Sequence, residues 1–359
     1  MMPNIDNPMI LALATALPDY SESQNLIGEK VAEFLNPSEK VKRSIIDLHQ
    51  NSGISRRYSV LKDIKLPANE FEFLNECQPT TLERNKIYMQ EAPKLAEKAV
   101  LNLLEQYNRD KNEITHLISV SCTGVMAPGI EFLLQQSLSL NPTLRRLGIN
   151  FMGCFGAFNG MAVASALAQQ NPQHRVIVVC TELCSLHFQT ELEPEIIVGN
   201  SLFADGAAAV LIGCEPRENE EPLWELKKFA SLAIENSIDK MTWQLADTGL
   251  IMGLSRQVPT YIKHNAHRLL SLLNTENHEV SQWAIHPGGR KIIEMIEQSL
   301  NLTSEQTQAS WHVLENYGNM SSATFLFVLD KLRVDRKGYL LGMGFGPGLS
   351  LEGLMLHAA

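Results

Sequence analysis

Three residues of this chain have the types and surroundings that thioester chemistry needs. Cys154 lies in Gly153-Cys154-Phe155-Gly156-Ala157-Phe158-Asn159-Gly160, His286 in Ala284-Ile285-His286-Pro287-Gly288-Gly289, and Asn319 in Tyr317-Gly318-Asn319-Met320-Ser321-Ser322. A strand-like approach, Gly148 to Phe151, precedes Cys154, and small apolar residues follow it to Gln170, where Asn171-Pro172 stops them. This pattern places the thiol at the start of a helix. Unpaired backbone N–H groups and the positive end of the macrodipole favour thiolate there, and thiolate is the nucleophile. An imidazole accepts the thiol proton or pairs with the thiolate. His and Asn side chains both donate hydrogen bonds to a thioester carbonyl oxygen. The same donors stabilise that oxygen as an enolate when a malonyl thioester loses carbon dioxide. Singly, each residue has an ordinary reading. A cysteine in a Gly/Ala-rich helix start packs, a histidine at a strand end caps a turn, and an asparagine before a helix is an N-cap. The three together carry the signal.

Positioning them requires an alternation of strands and helices. Lys86 to Tyr107 has apolar residues near helical spacing, including Leu95, Ala99, Leu101 and Leu104. His116–Ser121, Arg175–Cys180 and Ala207–Ile212 read as buried strands. The later part repeats the style, with helices expected around Lys291–Leu300 and Ala323–Leu332 and a strand around Tyr339–Met343. The fold class expected is therefore layered α/β. Glu215 to Pro222 is polar and proline-bounded. It divides the chain into a half of residues 1–215 that carries the cysteine and a half of residues 216–359 that carries the histidine and asparagine.

With 359 residues, 45% of them hydrophobic, the chain is long enough for two domains or one large one. The net charge of -10 comes without a basic block, so nucleic acid is not expected as a partner. An acyl-CoA or nucleotide substrate would then need local positive charge. Asp6 and Pro8 interrupt the first apolar stretch and no basic segment precedes it, so no secretory leader is expected. No apolar run reaches the length of a membrane span. Six cysteines in a chain this long do not make a disulfide framework, and a reduced, cytoplasmic setting is the expectation.

The motifs resemble the type III polyketide synthases, the chalcone-synthase-like branch of the thiolase fold, over nearly the whole chain. The resemblance is carried by SGISRRY (Ser52–Tyr58), CTGVMAPG (Cys122–Gly129), GCFGAFNGM (Gly153–Met161), VVCTELCSLHF (Val178–Phe188), VGNSLFADGAAA (Val198–Ala209), IHPGG (Ile285–Gly289), YGNMSSA (Tyr317–Ala323) and GFGPGLSLEGLMLH (Gly344–His357). It implies a thiolase-like αβαβα arrangement of two similar halves in a homodimer. Cys154 would carry the acyl group, His286 would support the thiolate, and His286 with Asn319 would drive malonyl decarboxylation. Acyl-CoA starter and malonyl-CoA would be substrates, with neither cofactor nor metal. Phe203 falls at a gatekeeper position between CoA tunnel and cavity. Ser321 and the loop of Gly346 and Pro347 would border the cavity.

Departures from the plant pattern concern specificity and look more like bacterial members of the family. Met252 replaces a second gatekeeper phenylalanine, Trp243 a cavity-floor glycine, and Cys122, Cys184 and His187 three cavity-lining positions. Ala127 stands where plant enzymes have a methionine that reaches across the dimer. Ser44, Asp47 and Asn51 stand where plant enzymes place the basic residues of the CoA entrance, so Arg56, Arg290 and Lys291 are the candidates for CoA phosphate contacts. Cys180, Cys184 and His187 have a spacing that permits soft ligands, but no fourth ligand follows, and no metal site is expected.

The reading is iterative decarboxylative Claisen condensation followed by cyclisation. Met252, opening the entrance to an aliphatic starter, points to an alkylpyrone- or alkylresorcinol-type product. Tetrahydroxynaphthalene- or phloroglucinol-type products, and a single-round ketoacyl synthase, are the alternatives. Cys…His…Asn also suits a cysteine hydrolase, although the papain-type cysteine signature is absent.

Overall fold

A computed structural model describes residues 7–74, 78–218 and 220–359. Asp6 and Cys77 lie outside the described residues. Nine strands form one sheet, in the spatial order Val280–Ile285, Tyr339–Gly346, Ser350–Ala358, Trp224–Ala233, Met9–Ala16, Asp205–Gly213, Arg175–Leu183, His116–Ser121 and Arg145–Asn150. Every expected strand is present, most of them a few residues longer. The sheet has two parts. Asp205–Gly213 runs antiparallel to both Met9–Ala16 and Arg175–Leu183, and His116–Ser121 runs parallel to both its neighbours. Among the described residues, the strands of the two parts pair only where Met9 meets Glu225 and Ile10 meets Trp224.

The period-2 alternation of the strands explains the layers. Val176, Val178 and Val210 face inward onto the helices Gly156–Ala168 and Thr324–Leu332, through Phe158, Met161, Phe325 and Leu326. Ile177, Val179 and Leu211, the alternate residues, face outward onto Leu95, Ala99 and Leu103 of the helix Thr81–Tyr107. In the C-terminal part, Leu340 and Leu354 face the central helices, while Leu341, Met343 and Met355 face Ile262, Leu269 and Ile296 of the outer helices Val258–Leu273 and Arg290–Leu300. Strands covered on both sides must be apolar throughout, which is why they read as unbroken hydrophobic runs. The layers are αβαβα, as the thiolase-like expectation required. The rings of Phe158 and Phe325, 4.1 Å apart, join the two central helices. Each fully buried side chain of this size contributes about 1.5–3 kcal/mol.

The long helix begins at Thr81 rather than Lys86. Thr80 and Glu83 form a reciprocal capping box that recruits an extra turn beyond the apolar stripe. No helix among the described residues is long and apolar enough to cross a membrane.

Candidate active site

Cys154 sits in a 3₁₀ turn, Gly153–Phe155, that runs directly into the helix Gly156–Ala168. The helix proper therefore starts two residues after the thiol. The chain reaches it from the edge strand through two left-handed residues, Phe151 (φ 58) and Gly153 (φ 72). Gly153 is required twice: its φ suits glycine, and Pro347 occupies the space a side chain would need. Gly346 abuts the Phe155 ring in the same way. Gly346 and Pro347 thus brace the turn that holds Cys154 and do not line the cavity beside it.

His286 follows the strand Val280–Ile285, and its backbone N–H donates to Met343 O (2.8 Å). Asn319 precedes a 3₁₀ turn, Ser321–Ala323. Its backbone is stitched to the segment before Asp205, with Asn319 N–H donating to Leu202 O (3.0 Å) and Ala204 N–H to Asn319 O (2.9 Å). Asn319 Oδ1 accepts from Ser321 N–H (2.9 Å), which fixes the amide so that Nδ2 donates to Gly288 O (3.3 Å). The cap-like bond expected of an asparagine before a helix is present, and it orients the amide.

Cys154, His286, Asn319, Phe203, Met252 and Phe345 line one cavity of about 720 Å³. Residues remote in sequence converge there from both halves. Exposed residues at its solvent side are Asn51, Pro194, Glu195, Arg256, Arg290 and Lys291. Arg290 is paired with Glu294 at 2.7 Å. Arg56 is not among the lining residues. It lies on the short strand Arg56–Ser59 and donates to Ser21 Oγ (3.1 Å), so its candidacy as a CoA contact is corrected. The neighbouring Arg57 turns inward instead, donating to Asn200 O and Phe203 O, both at 2.8 Å. Arg256, which no motif marked, takes a place beside Arg290 and Lys291. Only the return of the Met241–Leu254 hairpin brings it there.

The electrostatics oppose charge on either reacting group alone. Burial pushes the Cys154 thiol up to about 11; hydrogen bonds from Ser321 and Asn319 pull the other way, and Glu182 adds to the upward push. Burial holds His286 down to about 3. Desolvation thus opposes the thiolate expected from the helix start and disfavours charge on the imidazole. Neither ring nitrogen of His286 has a hydrogen-bond partner among the described residues.

Beneath Cys154 lies a saturated polar cluster. Fully buried Glu182 accepts from Cys122 N–H (3.0 Å), Thr123 Oγ1 (2.9 Å) and Ser322 Oγ. Cys122 Sγ lies 3.2 Å from Ser321 Oγ. Cys122 and Ser321 therefore form a wall behind Cys154, and Glu182, silent in the sequence reading, ties that wall together. Its only sequence signal was an acidic residue shortly after the apolar run Val176–Cys180, within the strand Arg175–Leu183.

Trp243, Cys184 and His187 do not line the reaction cavity. They line a second, smaller one of about 120 Å³, which shares Phe203 and Met252 with the first. Trp243 Nε1 donates to Cys122 O (2.7 Å), and its ring meets that of His187 edge-on at 5.6 Å. His187 Nε2 donates to Thr123 O (2.7 Å), and Nδ1 accepts from Leu250 N–H (3.1 Å). Both nitrogens are occupied by backbone, which leaves the ring to serve as wall. Among the described residues no group of three or more His, Cys, Asp or Glu is arranged to hold a metal ion.

With this geometry in view, the chain was compared with known proteins. Residues 4–216 match the model of chalcone and stilbene synthases, N-terminal domain, and residues 225–359 that of the C-terminal domain. The chain belongs to the chalcone and stilbene synthase family. It is an acyltransferase of the type III polyketide synthase class. A curated relative, "Probable polyketide synthase 1" of Dictyostelium discoideum, is 33% identical over 98% of this chain, which spans 11% of that protein's length. The crystal structure of the C-terminal type III polyketide synthase domain of Steely1, a type I/III hybrid from Dictyostelium, superposes with a TM-score of 0.93 at 32% identity, covering 98% of this chain and 99% of that one. PKS-I of the brown alga Ectocarpus siliculosus gives 0.91 at 27% identity, with both chains covered completely.

Proposed function

We propose that this polyketide synthase loads an acyl-CoA starter on Cys154 and extends it with malonyl-CoA, using His286 and Asn319 as the electron sink. The observation that carries the proposal is His286: buried, without a hydrogen-bond partner among the described residues, and lining the same cavity as Cys154 and Asn319. A buried polar group left unsatisfied is costly, and such a group in a cavity is poised for a ligand. In the loading step, Cys154 Sγ bonds to the starter carbonyl carbon, His286 takes the thiol proton, and the bond from that carbon to the CoA sulfur breaks. The proton passes to the leaving CoA thiolate. Charges on Cys154 and His286 thus arise together, which burial permits better than either alone. Malonyl-CoA then loses carbon dioxide, and the electron pair moves onto the thioester oxygen, held by donors on His286 and Asn319. The enolate carbon attacks the Cys154 thioester, a C–C bond forms, and Cys154 leaves as thiolate. The chain, now on CoA, returns to Cys154 for the next round. These steps use CoA thioesters as substrates and need no cofactor.

Arg256, Arg290 and Lys291 are the proposed CoA phosphate contacts. The homodimer expected from the family is supported by the edge strand Arg145–Asn150 and by Val125, Leu147 and Phe151, large apolar residues exposed near it. The division at 215/216 is supported by the meagre junction between the two parts of the sheet. A cytoplasmic setting fits the reduced cysteines Cys122, Cys154, Cys180 and Cys184. Likeness to bacterial rather than plant members rests on Met252, Trp243, Cys122 and Cys184, and an aliphatic starter leading to a pyrone or resorcinol rests on Met252.

The test is incubation with malonyl-CoA and a panel of acyl-CoA starters. Carbon dioxide release, an acyl adduct on Cys154 and polyketide masses are expected. Peptide cleavage without carbon dioxide release would convert the reading to a cysteine hydrolase.

A further inference from the structure

We infer that Arg57 is a positioning residue for malonyl-CoA decarboxylation, acting through the backbone of Asn319; this rests on the polyketide-synthase reading above. Three observations lead to it. The first is the way one helix ends. Pro194–Leu202 stops at Phe203, and the last carbonyls of a helix have no partner within it. Here those carbonyls are taken by distant parts of the chain. Arg57 Nη1 donates to Asn200 O and to Phe203 O, both at 2.8 Å, and Gln24 Nε2 donates to Ser201 O (2.7 Å). Leu202 O accepts from Asn319 N–H (3.0 Å). Arg57 thus clamps Asn200 and Phe203, the residues on either side of the pair Ser201 and Leu202, and Asn319 caps the same helix end.

The second observation is direct packing. Gly318 has φ 71, and a side chain there would meet Leu202 O at 3.0 Å and the Cγ and Cδ of Arg57 at 3.1 and 3.3 Å. The aliphatic stem of Arg57 therefore lies against the residue before Asn319. Its guanidinium holds the segment to which Asn319 is bridged, where Ala204 N–H donates to Asn319 O (2.9 Å). The two other residues of the site are held by other means. His286 N–H is bonded to Met343 O, and Pro347 packs against the turn of Cys154.

The third observation is the residue type. Arg57 is buried, and its Nε donates to Gln24 Oε1 (2.7 Å). Gln24 is buried too, and its amide is fixed by Ser52 Oγ (3.1 Å). The acceptors of Arg57 are neutral oxygens on two separate segments. A planar guanidinium presents donors to both at once, and an ammonium does not. Charge makes these hydrogen bonds roughly twice as strong as neutral ones, and a cation is favoured at a helix C-terminus.

The experiment uses the whole chain and separates two rates. One is acylation of Cys154 by hexanoyl-CoA, read by mass spectrometry after quenching, and the other is carbon dioxide release from malonyl-CoA. Arg57→Lys keeps the charge and the stem over Gly318 but loses the planar fork. It should lower carbon dioxide release about 10- to 100-fold, the scale of a misplaced reacting group, and leave Cys154 acylation within about threefold of the parent. Gln24→Met, which removes the bonds to Arg57 and Ser201 at similar volume, should repeat this split with a smaller loss. The deciding measurement is a cycle with Asn319→Ala. In that background Arg57→Lys should change carbon dioxide release by less than about twofold, since the side chain it positions is gone. Losses that multiply in the double variant, or equal losses of both rates in the single variants, would overturn the inference and leave the synthase reading intact. A parent enzyme that releases no carbon dioxide would overturn both.

Discussion

Two histidines, both almost wholly inside the protein, stand in opposite relations to their surroundings. His187 gives its N–H to Thr123 O and receives one from Leu250. His286 gives and receives nothing from the described residues. Burial lowers both, to about 4 and about 3, so charge does not separate them. Partners do. A buried histidine with both nitrogens satisfied is part of the frame, and one with neither satisfied faces a space that a substrate fills. The same contrast holds for the spaces beside them. His286 faces the large cavity with hydrogen bonds still to make, and His187 faces the small one having made its own.

The largest effect that tests the contrast is on catalysis. His286→Ala should lower the rate of malonyl-CoA decarboxylation about 10²–10³-fold, the usual loss for one donor to a developing oxyanion, while changing unfolding free energy by less than about 1 kcal/mol, since no protein bond is lost. Decarboxylation within threefold of the parent would remove His286 from the electron sink. Next in size is titration. With ¹⁵N-labelled histidine, both rings should stay neutral from pH 8 to pH 5. Their pKa values lie below the ordinary 6.5, so the proton is bound only on approach to pH 4 for His187 and pH 3 for His286. A non-decarboxylating malonyl-CoA analogue should move the His286 signals alone. Titration of His286 near pH 6.5 would mean that the ring is not desolvated.

Stability gives the converse. His187→Ala should cost about 1–3 kcal/mol in chemical unfolding, because Thr123 O and Leu250 N–H are left buried without a partner. If His286→Ala proved the more destabilising of the two, the assignment of frame and site would be reversed. The smallest effect concerns the entrance. Replacing both Arg290 and Lys291 by Ala should raise the KM for malonyl-CoA roughly fivefold, as expected for two exposed charge contacts, with kcat little changed. An unchanged KM would place the CoA phosphates elsewhere.

Much of this was legible in the residues. The apolar runs Arg175–Cys180 and Ala207–Ile212 announced strands covered on both faces, because only such strands need no polar alternation. Cys154, His286 and Asn319 were marked by their glycine- and proline-punctuated surroundings. Two errors at the boundaries have identifiable causes. The first turn of the helix Thr81–Tyr107 depends on the Thr80–Glu83 box rather than on apolar spacing. Arg56 and Arg57 are adjacent and chemically alike, yet strand alternation sends one to the surface and the other inward. Glu182 carried a faint signal, since a carboxylate in an apolar strand requires partners, but the identity of those partners depends on a loop and a 3₁₀ turn far away in the chain.

The sequence by itself determined the layered α/β class and the family, and singled out Cys154, His286 and Asn319 as candidates, because residue type and local punctuation decide strand and helix start. Only the tertiary structure decided which cavity each lining residue serves. It placed Trp243, Cys184 and His187 on a second, smaller cavity, put Gly346 and Pro347 under Cys154, and added Arg256 and Phe345 to the cavity that Cys154 lines. The reason is physical: whether a side chain frames a site or faces its ligand depends on which hydrogen bonds and contacts remain unmade, and that is settled by neighbours distant in the chain.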